Sequence, residues 1–394
     1  MSTSTTLLAF SLLLPLLLIS PSQASTPPQA SFPNVTGGAS LGELPSNVDL
    51  FDKAKLAKHW IPALFVFGDS LVDSGNNNFL KALAKANYSP YGSTFFGKPT
   101  GRFTDGRTAA DFIAQLNGLP YPPPYLGLLA ERKQIPKTGV NFASGSSGIL
   151  PDTGAGKCLN LDNQIELFRL TVELKLVASF GSKKELSEYL SKSIFIFSIG
   201  NNDYINNYLL PLLYDSSKRY TPQQFAQLLV GRLSQGLKNL YILGARKMIV
   251  FELGPIGCMP WITRRSKKGQ GKCDEEANSL VSHFNNDLGS MLKELTSTLS
   301  GSTFVLGHVN WLGYDAIKNP SNYGLRDTST SCCNSWLNGT VTCIPFGKPC
   351  ANTNEHFFWD GFHPTEAVSS LVANACINGS SVCLPMNMEG LLKI

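Results

Sequence analysis

The chain has 394 residues, a net charge of +5, 43% hydrophobic residues and 15% charged residues. That balance describes a folded globular protein and excludes a disordered one. Its basic cluster, Arg264-Arg265-Ser266-Lys267-Lys268, lies in a Gly-rich stretch without interleaved aromatics, so a solvated loop is expected there and nucleic acid is not an expected partner.

The N-terminus carries an apolar run from Leu7 to Ile19, followed by Ser22-Gln23-Ala24. The run is shorter than the roughly 20 residues that span a bilayer, which predicts a secretory signal over 1–24, cleaved after Ala24. No Lys or Arg precedes it, so a signal anchor is the alternative reading. Residues 25–58 read as a leader rich in Pro, Ser and Gly, residues 59–385 as one large domain, and residues 386–394 as a tail. No later segment reads as a transmembrane anchor, and the expected destination is extracellular. The nine cysteines fit that compartment as disulfides. Cys258 pairing with Cys273 and local bridges within 332–383 are expected, and the odd count leaves at least one thiol unpaired. The sequons at Asn34, Asn87, Asn338 and Asn378 are candidate glycosylation sites, and Pro90 disfavours the one at Asn87.

Five short apolar runs follow in chain order: Ala63–Gly68, Gly139–Ser144, Ser193–Gly200, Lys247–Leu253 and Phe304–Val309. They are continuously apolar, which means burial on both faces, as in a parallel sheet covered by helices. Between them lie segments with helical spacing, such as Thr221–Leu243, where Thr221 is placed as N-cap and Pro222 as first helical residue. The alternation indicates an α/β sandwich. Ligands in such sheets bind beyond the carboxyl ends of the strands, and the first three runs end in GDS, ASGSSG and GNND.

Ser70, in the first of these turns, is either a nucleophile or an N-cap. A hydroxyl of ordinary acidity attacks an ester only with a base to take its proton and donors to receive the oxyanion. Among the five histidines, His363 stands out in Phe358-Trp359-Asp360-Gly361-Phe362-His363-Pro364. Pro364 biases it away from helical backbone and is well placed to start a helix through Ile377. Asp360, three residues earlier, can fix its tautomer, although an Asp–His pair can also simply cap a helix. His356 is the rival base, His308 reads as a packed core residue, and His59 and His283 as surface residues. Asn202 in GNND is the side-chain candidate for the oxyanion, or an ordinary turn asparagine. The N–H groups of Ser70 and of Gly145 or Ser146 are the backbone candidates. Asp69 is a weaker third member than Asp360. The GxSxG elbow of α/β-hydrolases is absent.

The segments FGDSLVDSGNNN (67–78), GRFTDGRTAADFIA (101–114), GVNFASGSSGI (139–149), FSIGNNDY (197–204), LGPIGCMP (253–260) and FFWDGFHPTEA (357–367) together resemble the plant branch of the GDSL esterase/lipase family, in the SGNH hydrolase superfamily. The resemblance covers about 60–385. It implies a flavodoxin-like three-layer α/β/α sandwich around a five-stranded parallel sheet. It also implies Ser70 as nucleophile, His363 as base and Asp360 as the orienting acid. The implied oxyanion hole is the Ser70 N–H, a glycine N–H at Gly145, and Asn202. Where the second motif often has adjacent glycines, this chain has Gly145-Ser146-Ser147, which leaves the choice of N–H open.

The expected activity is hydrolysis of carboxylic esters (lipid, acetyl or phenolic acyl esters) through an acyl-enzyme, with no metal or cofactor. The small-molecule or lipid ester is the expected partner. An acyltransferase using the same intermediate, or a binding protein that has lost turnover, are the alternatives.

Overall fold

Residues 61–394 are described in the computed structural model, apart from 96, 155–156, 267–270 and 337–340. The expected signal and leader, with Asn34, therefore lie outside the described residues, as does Asn338.

The central sheet is built from β1 (Leu64–Gly68), β2 (Ile194–Ser198), β3 (Lys247–Phe251) and β4 (Thr303–Gly307), parallel and adjacent in that order. Two shorter strands, β5 (Asp327–Ser331) and β6 (His356–Phe358), pair apart from it, and β7 (Cys383–Leu384) closes its far edge. Side chains alternate across β1. Phe65 and Phe67 face one apolar layer, and Leu64 and Val66 the other. The rings of Phe67 and Phe197 stack across the strands at 5.0 Å, and those of Phe65 and Phe195 at 5.1 Å.

Helices cover both faces. On the first lie α1 (Ala109–Leu116) and, from the chain's end, the helix Glu366–Ile377. On the second lie α2 (Leu161–Leu170), α3 (Pro222–Ile242) and α4 (Glu275–Thr298). The Glu366–Ile377 helix is α5. Thr221 caps α3 in a capping box with Gln224, with Pro222 at the first position, as the sequence predicts. This is the α/β three-layer fold.

The α/β fold is as expected, with three differences of detail. The sheet is not wholly parallel, because β7 runs antiparallel to β4 through the pairs Leu306–Leu384 and Gly307–Cys383. The Cys376–Cys383 disulfide turns the chain back from α5 to that edge. The run Gly139–Ser144 is not an assigned strand. It lies extended beside β1, bonded through Val66 N–H to Val140 O (3.0 Å) and Phe142 N–H to Val66 O (2.8 Å). Its outer edge meets Pro123 and Pro124, which have no N–H to extend a ladder. Counting it second in chain order gives the flavodoxin-like order 2-1-3-4-5. Third, the expected tail contains a short helix, Met388–Leu392, whose Met388 and Leu391 are buried in the apolar layer of α1 and α5.

Candidate active site

β1 and β2 are parallel, so their carboxyl ends reach the same sheet edge. The chain leaves β1 at Gly68, where a Cβ would stand 2.3 Å from the carbonyl oxygen of Ser198. Only glycine allows that approach. The buried Gln164 of α2 grips both backbone groups of Gly68, accepting from its N–H and donating to its C=O, each at 2.8 Å. Asp69 N–H then donates to Ser198 O at 2.9 Å. Within the turn, Leu71 N–H donates to Asp69 Oδ1 at 3.0 Å, so the side chain of Asp69 does the local capping. The Ser70 hydroxyl is left for another partner.

That partner is His363, whose Nε2 lies 2.8 Å from Ser70 Oγ. Its Nδ1 lies 2.9 Å from both carboxylate oxygens of Asp360. Asp360, fully buried, also accepts from the N–H groups of Phe362 and His363 at 2.9 Å and from the Tyr91 hydroxyl at 2.6 Å. The imidazole packs on Phe103 with ring centroids 5.2 Å apart. The loop returns on itself through Trp359 N–H to His363 O (2.8 Å), and Thr365 occupies the N-cap position of α5 with its hydroxyl donating to His356 O, so Pro364 stands before the cap and not at the first helical position. Cys332 and Cys333 N–H groups hold the same loop through Phe358 O and Trp359 O, and those cysteines are bridged to Cys350 and Cys343.

Asn202 sits in the turn after β2, its conformation fixed at both ends. Nδ2 donates to Ser147 O at 3.0 Å, and Oδ1 accepts from Asn206 at 2.7 Å. One Nδ2 proton remains for the cavity that Asn202 lines with Ser70, Ser146 and His363, a space of about 130 Å³. Gly145 does not line that cavity. Its N–H donates to Asp73 Oδ2 at 3.0 Å and its carbonyl accepts from Asn77. Ser146, in left-handed backbone at φ 66°, lines it instead. Neither the Ser70 nor the Ser146 N–H has a hydrogen-bond partner among the described residues.

Three buried carboxylates hold the turns. Asp73 accepts from Gly75, Asn76 and Gly145 N–H groups, and Asp203 from Ile149 and Leu150 N–H and Thr153. Burial pushes each up to about 6, partly offset by those donors. Burial pushes Asp69 further, to about 7, because only Leu71 N–H serves its side chain and Oδ2 has no partner.

The GDSL-like Lipase/Acylhydrolase family model matches residues 64–376. The chain belongs to this GDSL family. Among its relatives in Arabidopsis thaliana, "GDSL esterase/lipase 7" is 44% identical over 84% of this chain and 92% of its own. "GDSL esterase/lipase At5g08460" is 42% identical over 84% and 88%, and "GDSL esterase/lipase At1g71691" is 41% identical over 85% and 86%. The enzyme class is that of GDSL-type carboxylic ester hydrolases.

In this GDSL chain His283, His308 and His356 do not line the cavity, and His59 lies outside the described residues. His308 pairs with Glu252 at 2.9 Å, and His356 faces Asp327 at 3.9 Å. Four disulfides form, including Cys258–Cys273 as expected, with Cys332–Cys350, Cys333–Cys343 and Cys376–Cys383 inside the expected cluster. Cys158 is free and buried. Asn87 and Asn378 are exposed. Sequence reasoning missed Gln164, Asn206 and Tyr91. Gln164 carries no signal beyond a polar residue on an otherwise apolar helix face, and Tyr91 none at all.

Proposed function

We propose that the chain is a secreted serine esterase that hydrolyses carboxylic esters through an acyl-enzyme on Ser70. The observation that carries the reading is the continuous chain Ser70 Oγ–His363 Nε2 (2.8 Å) and His363 Nδ1–Asp360 (2.9 Å), open to one cavity. His363 Nε2 takes the Ser70 proton while Oγ bonds to the ester carbonyl carbon. The carbonyl electron pair moves onto oxygen, facing Asn202 Nδ2 and the N–H groups of Ser70 and Ser146. On collapse the bond to the alcohol oxygen breaks, and His363 returns the proton to it. Water repeats the cycle and releases the acid. Asp360 holds the Nδ1–H tautomer and stabilises the imidazolium. Ser146 takes the place assigned to Gly145 from the sequence, since the Gly145 N–H serves Asp73.

The test is hydrolysis of p-nitrophenyl acetate. Ser70→Ala should lower kcat by roughly 10⁴–10⁶-fold, and Asn202→Ala by about 10²–10³-fold, the scale of one oxyanion donor. Full activity in Ser70→Ala would sink the proposal. Export is supported by four disulfides and by exposed sequons at Asn87 and Asn378, while no described helix is long and apolar enough to cross a membrane. N-terminal sequencing of protein collected from the medium should begin at Ser25.

A further inference from the structure

A second cavity, of about 350 Å³, adjoins the first. Ile205 lines both. Phe362, which lines the catalytic cavity, lies 5.3 Å between ring centroids from Trp261, which lines the second. The second space has a floor of buried Ile205, Ile262 and Ala277, and walls of half-buried Leu209, Trp261 and Leu280. Of its charged residues Glu276 is exposed, and the other two are turned to other work. Arg265 lies over the Trp261 ring at 3.6 Å, and Asp274 caps α4 through the N–H groups of Glu276 and Ala277. A sugar or other polyol would find an apolar floor there, with no buried polar side chain to bind it. Hydrocarbon would be desolvated.

We propose that this second cavity is the acyl-chain subsite, taking a saturated hydrocarbon chain of several methylenes; the assignment rests on Ser70 being the nucleophile. A carbonyl oxygen held at Asn202 places its carbon in the cavity that Ile205 also lines. The leaving alcohol must instead lie against His363 Nε2 to receive its proton. The acyl chain therefore runs past Ile205 into the apolar space, and an acetyl group leaves that space unused.

The experiment uses p-nitrophenyl esters from acetate to decanoate, and in parallel acetate esters of alcohols of increasing length. Wild-type kcat/KM is expected to rise about two- to fourfold per acyl methylene until the cavity is filled. Leu280→Trp, which fills the space from α4, should lower the decanoate-to-acetate ratio about tenfold through KM. Leu209→Phe should act in the same direction from the opposite wall. Thermal midpoints and fluorophosphonate labelling of Ser70 show which variants are folded. An unchanged ratio in a folded variant overturns the assignment, as does a response that follows alcohol length and not acyl length. If Ser70→Ala still hydrolyses acetate, the failure belongs to the nucleophile and not to the subsite.

Discussion

The two halves of the site are held by different means. Ser70 hangs from the end of a buried parallel strand, its approach fixed by Gln164 and by Ser198 of the neighbouring strand. His363 and Asp360 lie in a loop with little regular structure, flanked by β6 and α5 and strapped to a disulfide-bridged segment through Cys332 and Cys333. On the Ser70 side, geometry follows from the sheet, whose register a large core enforces. On the His363 side it follows from cross-links and a buried cluster of Tyr91, Phe103 and Trp359. Loops of that kind need covalent closure because they bury too little apolar surface to offset their chain entropy.

Breaking the His363 side covalently should have the largest structural effect. Cys333→Ser with Cys343→Ser opens a loop with sequence separation 10. The expected loss is about 2–3 kcal/mol of stability, with a larger fall in esterase activity than the unfolded fraction explains. Hydrogen exchange separates the two regions: the Trp359 and Cys333 amides should exchange faster, while those of Phe65–Phe67 in β1 should not. Equal loosening of both would show that the site is one cooperative unit.

The matching disturbance on the Ser70 side is Gln164→Leu, which keeps volume but leaves the buried Gly68 N–H without its acceptor. Gly68 O keeps Ser144 N–H and Ser147 Oγ as donors, while the half-buried Leu159 carbonyl also loses its Gln164 donor, so the expected cost is mainly that of the orphaned Gly68 N–H, about 1–3 kcal/mol. Here the kcat loss should come with normal exchange at Trp359. A kcat equal to wild type would mean that β1 alone positions Ser70.

The same contrast explains what the sequence made legible. Strands β1 to β4, α3 with its cap, and the segments that bring Ser70, Asn202, Asp360 and His363 together could be read because each is short and its residue types state their own chemistry. Long-range partners could not. Whether Gly145 or Ser146 offers its N–H depends on Asp73, 72 residues away, taking the Gly145 proton. Gln164 reaches Gly68 across 96 residues and Tyr91 reaches Asp360 across 269. Strand β7 escaped notice because two residues carry no periodicity, and its place is set by a disulfide and not by pattern.

The smallest expected effect sharpens the comparison at its two carboxylates. Asp360 is surrounded by donors from Tyr91, Phe362 and His363, whereas Asp69 has Leu71 N–H on one oxygen and nothing on the other. Burial raises Asp69 from its ordinary 3.8 to about 7; the nearby His363 pulls it down and Asp203 pushes it up. A folded-state value above the unfolded one means that the native protein binds this proton more tightly. Its contribution to stability is therefore complete below the ordinary value and is lost as pH rises through about 7. Asp69→Asn has no proton to lose, so its thermal midpoint relative to wild type should improve by a few degrees between pH 5 and about pH 7 and level off by pH 8. Asp73 and Asp203 titrate in the same direction but are present in both proteins and cancel in the difference, except for the charge that Asp203 shares with Asp69. A difference that stays constant over this range would mean that Asp69 is ionised throughout, and that a donor to Oδ2 exists in the folded enzyme.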